Sequence, residues 1–287
     1  MEHYQTDEAI FMTGDDLKFT VASCVCSDTG RVRENNEDNF LLRTVTNARQ
    51  QLSVQITDRV ESDDWAGWQC FGVFDGMGGG EKGEWASLTA ASVLGEEFGR
   101  RPLLTASRKD IDDLIRNTFM RINGLIVNEQ SRSDVYGTTA TVVATDGEVF
   151  KIYHAGDSRA YLMRDQSLFR LTEDQTLAAM KVEMGVYEED DPRAERDKHL
   201  LTVYLGYDEN GDKLFPQESE WMRFEKGDRL LLCSDGLYDM VTDPAISRIM
   251  RETETAEEAA GELCDLALAA GGVDNVTCLV LEAQPPA

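Results

Sequence analysis

The sequence predicts an α+β fold in which antiparallel β-sheets are covered by helices. Strand-like apolar runs follow one another in groups, and helix-like periodicities occur in consecutive pairs, whereas a parallel sheet would alternate single strands with helices. The 287 residues are 41 % hydrophobic, which is enough for one large core. Because the chain contains neither internal repeats nor a Pro- or Ser-rich linker, we expect residues 1–18 to form a flexible acidic leader and residues 19–287 a single domain.

The β-rich apolar runs of the chain are the predicted strands. They lie at 19–26, 39–44, 69–74, 138–144, 149–155, 160–163, 221–224, 229–233 and 276–282. Asp146-Gly147, which separates two of these runs, is typical of a hairpin turn. Neighbouring strands joined by short turns favour antiparallel pairing.

Apolar residues at steps of three and four predict the helices. This periodicity covers 85–98 and 110–130 and returns at 255–270. Asp243-Pro244 starts a further helix, because proline suits the first helical position. The bulky residues on the first two helices are expected in the core: Trp85, Phe119 and Met120.

Composition and charge exclude several classes of function. Lys and Arg number 28 against 54 Asp and Glu, and this net charge of −26 repels nucleic acids and anionic membranes. No apolar stretch is long enough to span a bilayer, and the N-terminus lacks the pattern of a signal peptide. The six cysteines form no CxxC pair, which favours buried, reduced thiols over a zinc site. We expect a cytoplasmic protein with no nucleic-acid partner and no membrane insertion.

Four short acidic segments lie far apart in the chain and share one pattern. They are 33–38, 75–79, 234–236 and 274–277. Each places a carboxylate beside a turn residue and next to an apolar run. Clustered carboxylates on rigid strand ends suit Mg²⁺ and Mn²⁺, which prefer oxygen ligands. If the four segments converge, they predict a metal-dependent hydrolase.

The alternative for each Asp-Gly pair is a plain turn. Asp146-Gly147 keeps that interpretation, since its surroundings are those of a polar hairpin. Asp75-Gly76 and Asp235-Gly236 instead follow buried strands, where a carboxylate is costly unless a cation compensates it. The glycines after Asp75 also let the backbone approach a ligand closely.

Seven motifs occur in a fixed order over residues 20–282. They are Arg33…Asn36-Glu37-Asp38, Phe74-Asp75-Gly76-Met77-Gly78-Gly79, Tyr136-Gly137-Thr138-Thr139, Gly156-Asp157-Ser158-Arg159, Leu171-Thr172-Glu173-Asp174, Ser234-Asp235-Gly236-Leu237 and Asp274-Asn275-Val276-Thr277. Together they resemble the metal-dependent protein phosphatases (PPM, the type 2C serine/threonine class) in their bacterial form. The resemblance implies a four-layer αββα sandwich, in which two antiparallel β-sheets are flanked by helices. It also implies that residues 19–287 are one catalytic domain.

The resemblance implies a role for each matching residue. Asp75, Asp235 and Asp274 would hold two Mn²⁺ or Mg²⁺ ions tightly, with the backbone carbonyl of Gly76 as a further ligand. Glu37 and Asp38 would bind metal directly or through water. A third, weaker ion would be held by three carboxylates: Asp157, Asp235 and Asp239. Arg33 would bind the substrate phosphate and would form the catalytic set with Asp75 and Asp235.

These roles imply a mechanism for hydrolysing phosphoserine and phosphothreonine. Two adjacent cations lower the pKa of a shared water, and the resulting metal-bridged hydroxide attacks phosphorus in line. Arg33 suits the phosphate because a guanidinium donates two parallel hydrogen bonds. The alternative for Arg33 is a surface salt bridge with Glu34 or Glu37.

One residue departs from the pattern of some family members, which carry a histidine after the Asp-Gly pair as a general acid. This chain has Met77, which cannot donate a proton. His154 lies within a β-rich run and is expected to be a core histidine. His199 is expected in the flap, the segment 172–220, which we predict to combine a short helix with a mobile stretch. Neither histidine is assigned as the acid.

The resemblance also implies partners and leaves alternatives open. Phosphorylated proteins would be the substrates of a monomeric enzyme, and a bacterial Ser/Thr kinase would be its counterpart. A catalytically inactive binding module is the alternative, although it would have lost one of the three principal aspartates. A phosphatase dedicated to one regulatory partner is another. Residues 45–68, with a candidate hairpin arm at 52–56, are an extra hairpin near the site or a docking surface. The acidic cluster at 188–191 is a solvated face or selects basic phosphopeptides.

Overall fold

The computed structural model describes residues 18–286 except 66, 80, 100–102, 132–134, 189–190, 208–213 and 215. Residues 1–17 of the predicted leader lie outside the described residues, and so does the middle of the acidic cluster at 188–191. The division of the chain into leader and catalytic domain therefore stays a prediction.

The first sheet is antiparallel throughout. Its strands are β1 (Thr20–Asp28), β3 (Ser53–Val60), β9 (Arg159–Arg164), β10 (Ser167–Arg170), β13 (Arg229–Cys233) and β14 (Val276–Gln284). They lie in the order β10-β9-β13-β14-β1-β3. The two longest strands, β1 and β14, pair along their whole lengths from Thr20 opposite Gln284 to Asp28 opposite Val276.

The second sheet is antiparallel as well. Its strands are β2 (Asn39–Leu42), β4 (Gln69–Phe74), β7 (Ala140–Thr145), β8 (Val149–Ala155), β11 (Gln217–Glu218) and β12 (Met222–Arg223). The order is β11-β8-β7-β4-β2, and β12 also pairs with β8. The predicted Asp146-Gly147 turn joins β7 to β8, with Gly147 at a φ of +90°. A short ribbon of β5 (Gly76–Met77) and β6 (Gly137–Thr138) lies beside this sheet.

Helices cover the outer face of each sheet. The helices α1 (Glu81–Gly99) and α2 (Arg108–Glu129) pack on the second sheet. The helices α5 (Asp235–Tyr238), α6 (Asp243–Glu252) and α7 (Ala256–Ala269) pack on the first. The flap contains α3 (Leu177–Glu183) and α4 (Ala194–Asp197). Among these helices, none in the described part of the chain has the length and apolar character needed to cross a membrane.

The core is divided into three layers by the two sheets. One apolar cluster lies between α1, α2 and the second sheet, a second between the sheets, and a third between the first sheet and α5–α7. The strand β13 contributes to two of them, because Leu230 and Leu232 face the second sheet and Leu231 faces the helices. This alternation is the period of two expected of a strand buried on both faces. The order of layers confirms the predicted αββα sandwich.

Local signals explain where the helices begin. Ser107 accepts a hydrogen bond from the amide of Asp110, whose side chain accepts one from the amide of Ser107 in return. This capping box satisfies amides that the first turn of α2 leaves without partners. Thr255 caps α7 through the amide of Glu258, and Pro244 opens α6 as predicted.

The prediction that Trp85 lies in the core is wrong. Its exposed fraction is 37 %, and its ring meets Tyr136 edge-on at 6.1 Å, whereas Phe119 is fully buried as predicted. The face of α1 that packs on the sheet is lined largely by small residues, including Gly83, Ala86 and Ala90. Because they bring the helix close to the strands, the bulky indole is left at the rim of the interface.

The polar segment 45–68 contributes an edge strand. Residues 53–56 of the candidate arm are part of the longer strand β3, which pairs antiparallel with β1 from Val60 to Ser53. Its residues alternate between exposed and half-buried positions, as a polar edge strand does. The segment therefore widens the first sheet, and its described residues form no separate hairpin.

The predicted burial of the cysteines is confirmed for most of them. All six have free thiols, and five of them are buried in the described structure: Cys24, Cys70, Cys233, Cys264 and Cys278. Burial raises the pKa of the Cys24 thiol to about 11, which makes it unreactive near neutral pH.

Candidate metal centre

The register of both sheets brings the acidic segments to one edge of the sandwich. Asp75 follows the last residue of β4, and Asp235 follows Ser234 at the end of β13. Asp274 lies just before β14, whose residue Cys278 pairs with Cys233 at the end of β13. Because antiparallel neighbours alternate between ending and starting at an edge, these carboxylates meet although they are distant in sequence.

Two connections that cross between the sheets supply the remaining candidates. The loop from β1 in the first sheet to β2 in the second carries Arg33, Glu37 and Asp38. The turn from β8 in the second sheet to β9 in the first carries Asp157. Both crossings lie at the same edge as the strand ends, so the candidates line the gap between the sheets.

A cavity of about 650 Å³ opens at this edge. Most residues predicted for the site line it: Arg33, Glu37, Asp75, Gly76, Asp157, Asp235, Asp239 and Asp274. Met77 also lines it, and so do the flap residues Glu195, Lys198 and His199. The cavity thus brings together every predicted site residue except Asp38.

Asp38 is buried, with an exposed fraction of 2 %. Its carboxylate accepts hydrogen bonds from Ser234 Oγ and from Thr277 Oγ1, each at 2.7 Å. Burial raises the pKa of Asp38 to about 7, although these hydroxyls favour its charged form. Both donors belong to the motifs that carry Asp235 and Asp274, so Asp38 ties together three of the acidic segments.

Asp75 is held by Thr139 through its backbone. The Asp75 amide donates to Thr139 Oγ1 at 2.9 Å, and the Thr139 amide donates to the Asp75 carbonyl at 2.8 Å. These bonds break the strand predicted at 138–144 into β6 and β7 on either side of Thr139. Sequence reasoning did not assign Thr139 a role, although it ends the motif at 136–139.

Burial and neighbouring carboxylates make the cavity strongly electronegative. Burial, followed by repulsion from Asp38 and Asp235, raises the pKa of Asp75 well above its usual value. The pKa of Asp157 is raised well above its usual value by burial and by Asp235. Positive charge placed among these groups would restore their ionised forms.

Asn275 fixes the backbone of the loop that carries Glu37. Its Oδ1 accepts from the Glu37 amide at 2.8 Å, and its Nδ2 donates to the carbonyls of Thr29 and Asn35, each at 2.8 Å. One side chain therefore satisfies three backbone groups that the loop leaves without partners. Asn275 directly follows Asp274 in the sequence, but the motif indicated a role only for the carboxylate of Asp274.

Glu37 lies against the first turn of α1 because that turn contains a glycine. A Cβ added at Gly83 would lie 2.0 Å from Glu37 Oε2. The Gly76 amide donates to the Glu37 carbonyl at 3.2 Å, and Ser87 Oγ donates to the same carbonyl at 2.7 Å. Sequence reasoning missed Gly83, since a helical glycine carries no signal of its distant partner.

Gly83→Ala is expected to displace the Glu37 carboxylate and to weaken divalent-cation binding about tenfold, with little loss of stability. The clash is with the end of a flexible side chain, so the fold can accommodate it. Gly124→Ala is the matched control, because a Cβ at this position of α2 meets nothing within 4 Å. It should leave cation binding unchanged and stabilise the helix by about 1 kcal/mol. Equal Mn²⁺ affinities for both variants, measured by calorimetry, would contradict this account of Gly83.

Arg33 lies at the mouth of the cavity. Its Nη2 is 2.7 Å from Asp274 Oδ2, and its side chain is 53 % exposed. The partner shown is thus neither Glu34 nor Glu37, the two considered from the sequence, but a residue of the candidate metal set. The hydrogen bond to Asp274 raises the pKa of Arg33, so the guanidinium stays charged at the edge of the acidic cluster.

The flap brings two further groups to Asp235 and Asp239. Lys198 Nζ lies 3.4 Å from Asp239 Oδ1, and His199 lies 3.8 Å from Asp235 and 3.9 Å from Asp239. Burial and the charge of Asp235 raise the pKa of Asp239. Asp235 and Asp239 in turn raise the pKa of His199. The flap therefore closes one side of the cavity.

His154 is a core histidine, as predicted. Its exposed fraction is 1 %, and its ring nitrogens lie 2.9 Å from Thr141 Oγ1 and 3.1 Å from the Glu173 carbonyl. Burial lowers the pKa of His154 to about 4, which keeps the ring neutral near pH 7. It is not among the described residues that line the cavity.

Comparison with known families decides the classification. The family described as Protein phosphatase 2C matches residues 47–269. The chain belongs to this family. The resemblance drawn from the seven motifs is confirmed. Four candidate residues of the phosphatase lie outside the matched range: Arg33, Glu37, Asp38 and Asp274.

Curated relatives of the phosphatase are named as serine/threonine phosphatases. The phosphatase is 30 % identical over 261 residues to the serine/threonine phosphatase stp of Listeria monocytogenes, a match that covers 89 % of this chain and 93 % of the relative. It is 32 % identical over 256 residues to the serine/threonine protein phosphatase PstP of Mycobacterium tuberculosis. That match covers 89 % of this chain and 44 % of PstP, so the phosphatase spans less than half of that relative.

A solved structure supports the same classification. The catalytic domain of the serine/threonine protein phosphatase PstP, in complex with 2 manganese ions, superposes with a TM-score of 0.69 at 30 % identity. The match covers 92 % of this chain and 99 % of that domain. The fold therefore extends over nearly all of both chains.

Proposed function

We propose that the acidic cavity holds two divalent cations and that Arg33 binds the phosphate of the substrate. We also propose that the enzyme removes phosphate groups that a Ser/Thr kinase has added. The class of reaction follows from the family. The chain is a metal-dependent serine/threonine protein phosphatase, which hydrolyses phosphoserine and phosphothreonine in proteins. The observation that carries the proposal is the meeting of Asp75, Asp235 and Asp274 in one cavity, with Arg33 at its mouth.

The chemistry of the donor set fits divalent cations of the Mn²⁺ or Mg²⁺ type. The cavity offers carboxylate oxygens from strand ends that the sheets hold in place, and these cations prefer oxygen. Asp75, Asp235 and Asp274 would hold the two cations, with the Gly76 carbonyl as a further ligand. Cysteine is absent from the described lining, which disfavours a thiolate site. The two manganese ions in the PstP catalytic domain support the assignment by analogy.

Bound divalent cations would supply Lewis acidity, which neutralises phosphate charge and makes a nucleophilic water available near neutral pH. The residues of the chain hold the metal-binding side chains in position. Asn275 holds the Glu37 amide, and Ser234 and Thr277 orient Asp38 from behind the cavity wall. We propose that Glu37 and Asp38 bind metal directly or through water, as the resemblance implies.

Arg33 is proposed to bind the substrate phosphate. Its guanidinium is half exposed at the cavity mouth, so an incoming phosphate can reach it. Asp274 anchors one edge of the guanidinium through Nη2, and among the described residues no other group binds it, so its remaining N–H groups can donate to phosphate. The planar fork matches two phosphate oxygens at once. Met77 supplies no proton at the cavity wall, so the leaving alkoxide must obtain its proton from another group.

A third, weaker cation is proposed beside Asp157, Asp235 and Asp239. Asp157→Ala should remove this ion while two Mn²⁺ ions still bind tightly, because Asp157 comes from a different connection than the three principal aspartates. Calorimetric titration with Mn²⁺ counts the ions, and turnover of a phosphothreonine peptide should fall about tenfold or more. Loss of the tight ions would show that Asp157 belongs to the principal pair and not to a separate site.

The biological setting is proposed from the reaction. A phosphoprotein phosphatase needs a kinase that makes its substrates, so a bacterial Ser/Thr kinase and its targets are the proposed partners. A monomer and a cytoplasmic location stay predictions. The inactive binding module loses support, since the three principal aspartates are present and line one cavity.

A further inference from the structure

We propose that His199 is a nitrogen ligand of the third cation, and that the flap is thereby fastened to the metal centre by a metal–ligand bond. The inference rests on the proposed function, because it requires the third cation beside Asp235 and Asp239. It adds a residue that the seven motifs do not contain and changes the chemistry of the weak site from all-oxygen to mixed nitrogen and oxygen.

The positions of three ligand atoms carry the proposal. His199 Nδ1 lies 3.8 Å from Asp235 Oδ2, and His199 Nε2 lies 3.9 Å from Asp239 Oδ2. One ligand atom from each of these residues lies within 4.8 Å of the other two. Both nitrogen–oxygen separations are too long for hydrogen bonds. A cation binds one imidazole nitrogen, and bonds of about 2.1 Å let its donors lie up to about 4.2 Å apart, so either separation fits an ion shared by His199 and one carboxylate. A small rotation of the ring would bring a single nitrogen within that distance of both carboxylates.

Asp157 provides a second, independent observation. Its exposed fraction is 6 %, and it lines the same cavity. Within the described part of the chain, the hydrogen bond found for its carboxylate comes from its own backbone amide. Its charged neighbours include Asp235 and His199. A buried carboxylate without an outside donor is costly unless a cation compensates it. Burial of Asp157 and its repulsion from Asp235 therefore favour a cation in the cavity that both carboxylates and His199 line.

The flap backbone is fastened on both sides of His199. Before it, Asp197 is 2 % exposed and accepts hydrogen bonds from Lys181 Nζ at 2.6 Å and Tyr187 Oη at 2.9 Å. After it, the Leu200 carbonyl accepts from the Leu177 amide at 2.7 Å. These hydrogen bonds hold the exposed His199 imidazole beside Asp235 and Asp239, and a metal ligand needs such support from its surroundings.

The competing explanation makes His199 a cation that neutralises Asp235 and Asp239. The two explanations predict opposite effects on metal binding. A protonated imidazole would repel the third cation, so its removal would tighten binding. A ligand contributes a bond, so its removal would weaken binding. An imidazole ligand also favours Mn²⁺ over Mg²⁺, because nitrogen donors suit the later first-row metals better.

Pulsed electron paramagnetic resonance on the Mn²⁺-loaded protein tests the proposal. Nitrogen coupling should appear when the third equivalent of Mn²⁺ is added. It should vanish in His199→Gln and persist in His3→Gln, a control outside the described residues. In calorimetry, His199→Gln should weaken the third equivalent about tenfold or more and leave the two tight equivalents unchanged. His199→Asp, which restores an oxygen ligand, should recover much of the third affinity without nitrogen coupling.

Four results would overturn the proposal. They are absence of nitrogen coupling with three ions bound, its persistence in His199→Gln, a third equivalent that binds more tightly in that variant, and binding of only two ions by the wild-type protein. Phosphate release from a phosphothreonine peptide by the same sample would then show that the phosphatase function stands without the third site.

Discussion

Asp75→Asn is expected to reduce turnover of a phosphothreonine peptide at least about a thousandfold while the protein stays folded. Asp75 stands at the exit of β4, where Thr139 holds its backbone and neighbouring carboxylates face the same cavity. Asparagine keeps the shape of the side chain but offers one neutral oxygen in place of a charged carboxylate. The loss of the negative charge should therefore weaken cation binding, and fewer bound cations would neutralise the charge of the phosphate during the reaction. Phosphate release and calorimetric Mn²⁺ titration measure the two effects.

The same variant should be more stable than the wild type when metal is absent. Burial and repulsion from neighbouring carboxylates raise the pKa of Asp75, which means that its charge opposes folding of the metal-free protein. Asparagine removes that charge and should raise the free energy of unfolding in chelator by about 1 kcal/mol or more. The matched control is Asp146→Asn, because the Asp146-Gly147 pair forms a hairpin turn and does not line the cavity. Asp146 Oδ1 accepts from the amides of Glu148 and Val149, and an asparagine oxygen can accept the same bonds. Retained turnover in Asp75→Asn would refute its assignment to the metal centre.

Arg33→Ala is expected to lower kcat/KM for a phosphopeptide about a hundredfold or more without weakening Mn²⁺ binding. The guanidinium lies at the mouth of the cavity and contacts Asp274 through one nitrogen, so its removal deprives the phosphate of donors and leaves the carboxylates in place. Since a positive charge beside Asp274 opposes cation binding, Mn²⁺ affinity should stay equal or rise. Arg33→Lys should recover part of the activity, because it restores the charge but not the planar fork.

Arg31→Ala serves as the control for Arg33. Arg31 lies two residues away in the same loop and is exposed, but it does not line the cavity. Its removal changes the net charge of the loop by the same amount, so a general electrostatic effect would appear in both variants. Turnover that is equal in Arg33→Ala and the wild type would exclude Arg33 as the phosphate-binding residue.

Residues that act at strand ends could be predicted from the sequence. Asp75 directly follows a short apolar run, and Asp235 follows another after Ser234; runs of this length bounded by turn residues are consistent with buried strands. Their meeting at one edge was expected from the order of the motifs, and the register of β13 and β14 supplies the physical reason. The αββα layers were expected from the same source, since the resemblance covered nearly the whole chain.

Residues that act through distant partners could not be predicted in this way. Gly83 matters because a carboxylate from a loop far away in sequence lies against it, and Asn275 matters because it satisfies backbone groups of that loop. No local pattern encodes such contacts. Trp85 follows the apolar period of α1, yet the small residues beside it set the packing distance and leave it half exposed.

The flap was the least predictable part of the site. Its residues are polar, and its order depends on side-chain pairs such as Asp197 with Lys181 rather than on an apolar stripe. His199 was expected in the flap, but its distance from Asp235 and Asp239 follows from the tertiary arrangement alone. Hydrogen bonds between polar side chains depend on their positions in the folded protein, and no sequence pattern predicts which residues will pair.

Release of inorganic phosphate from a phosphothreonine peptide, with Mn²⁺, with Mg²⁺ and with chelator, tests the central claim most directly. We expect release that requires a divalent cation, that chelator abolishes and that added Mn²⁺ restores. Asp75→Asn is expected to stay inactive under every condition. Release that persists in chelator from protein free of metal would contradict the proposal that the acidic cavity works through bound cations. Folded protein that releases no phosphate with either cation would contradict the proposed catalytic role of that cavity.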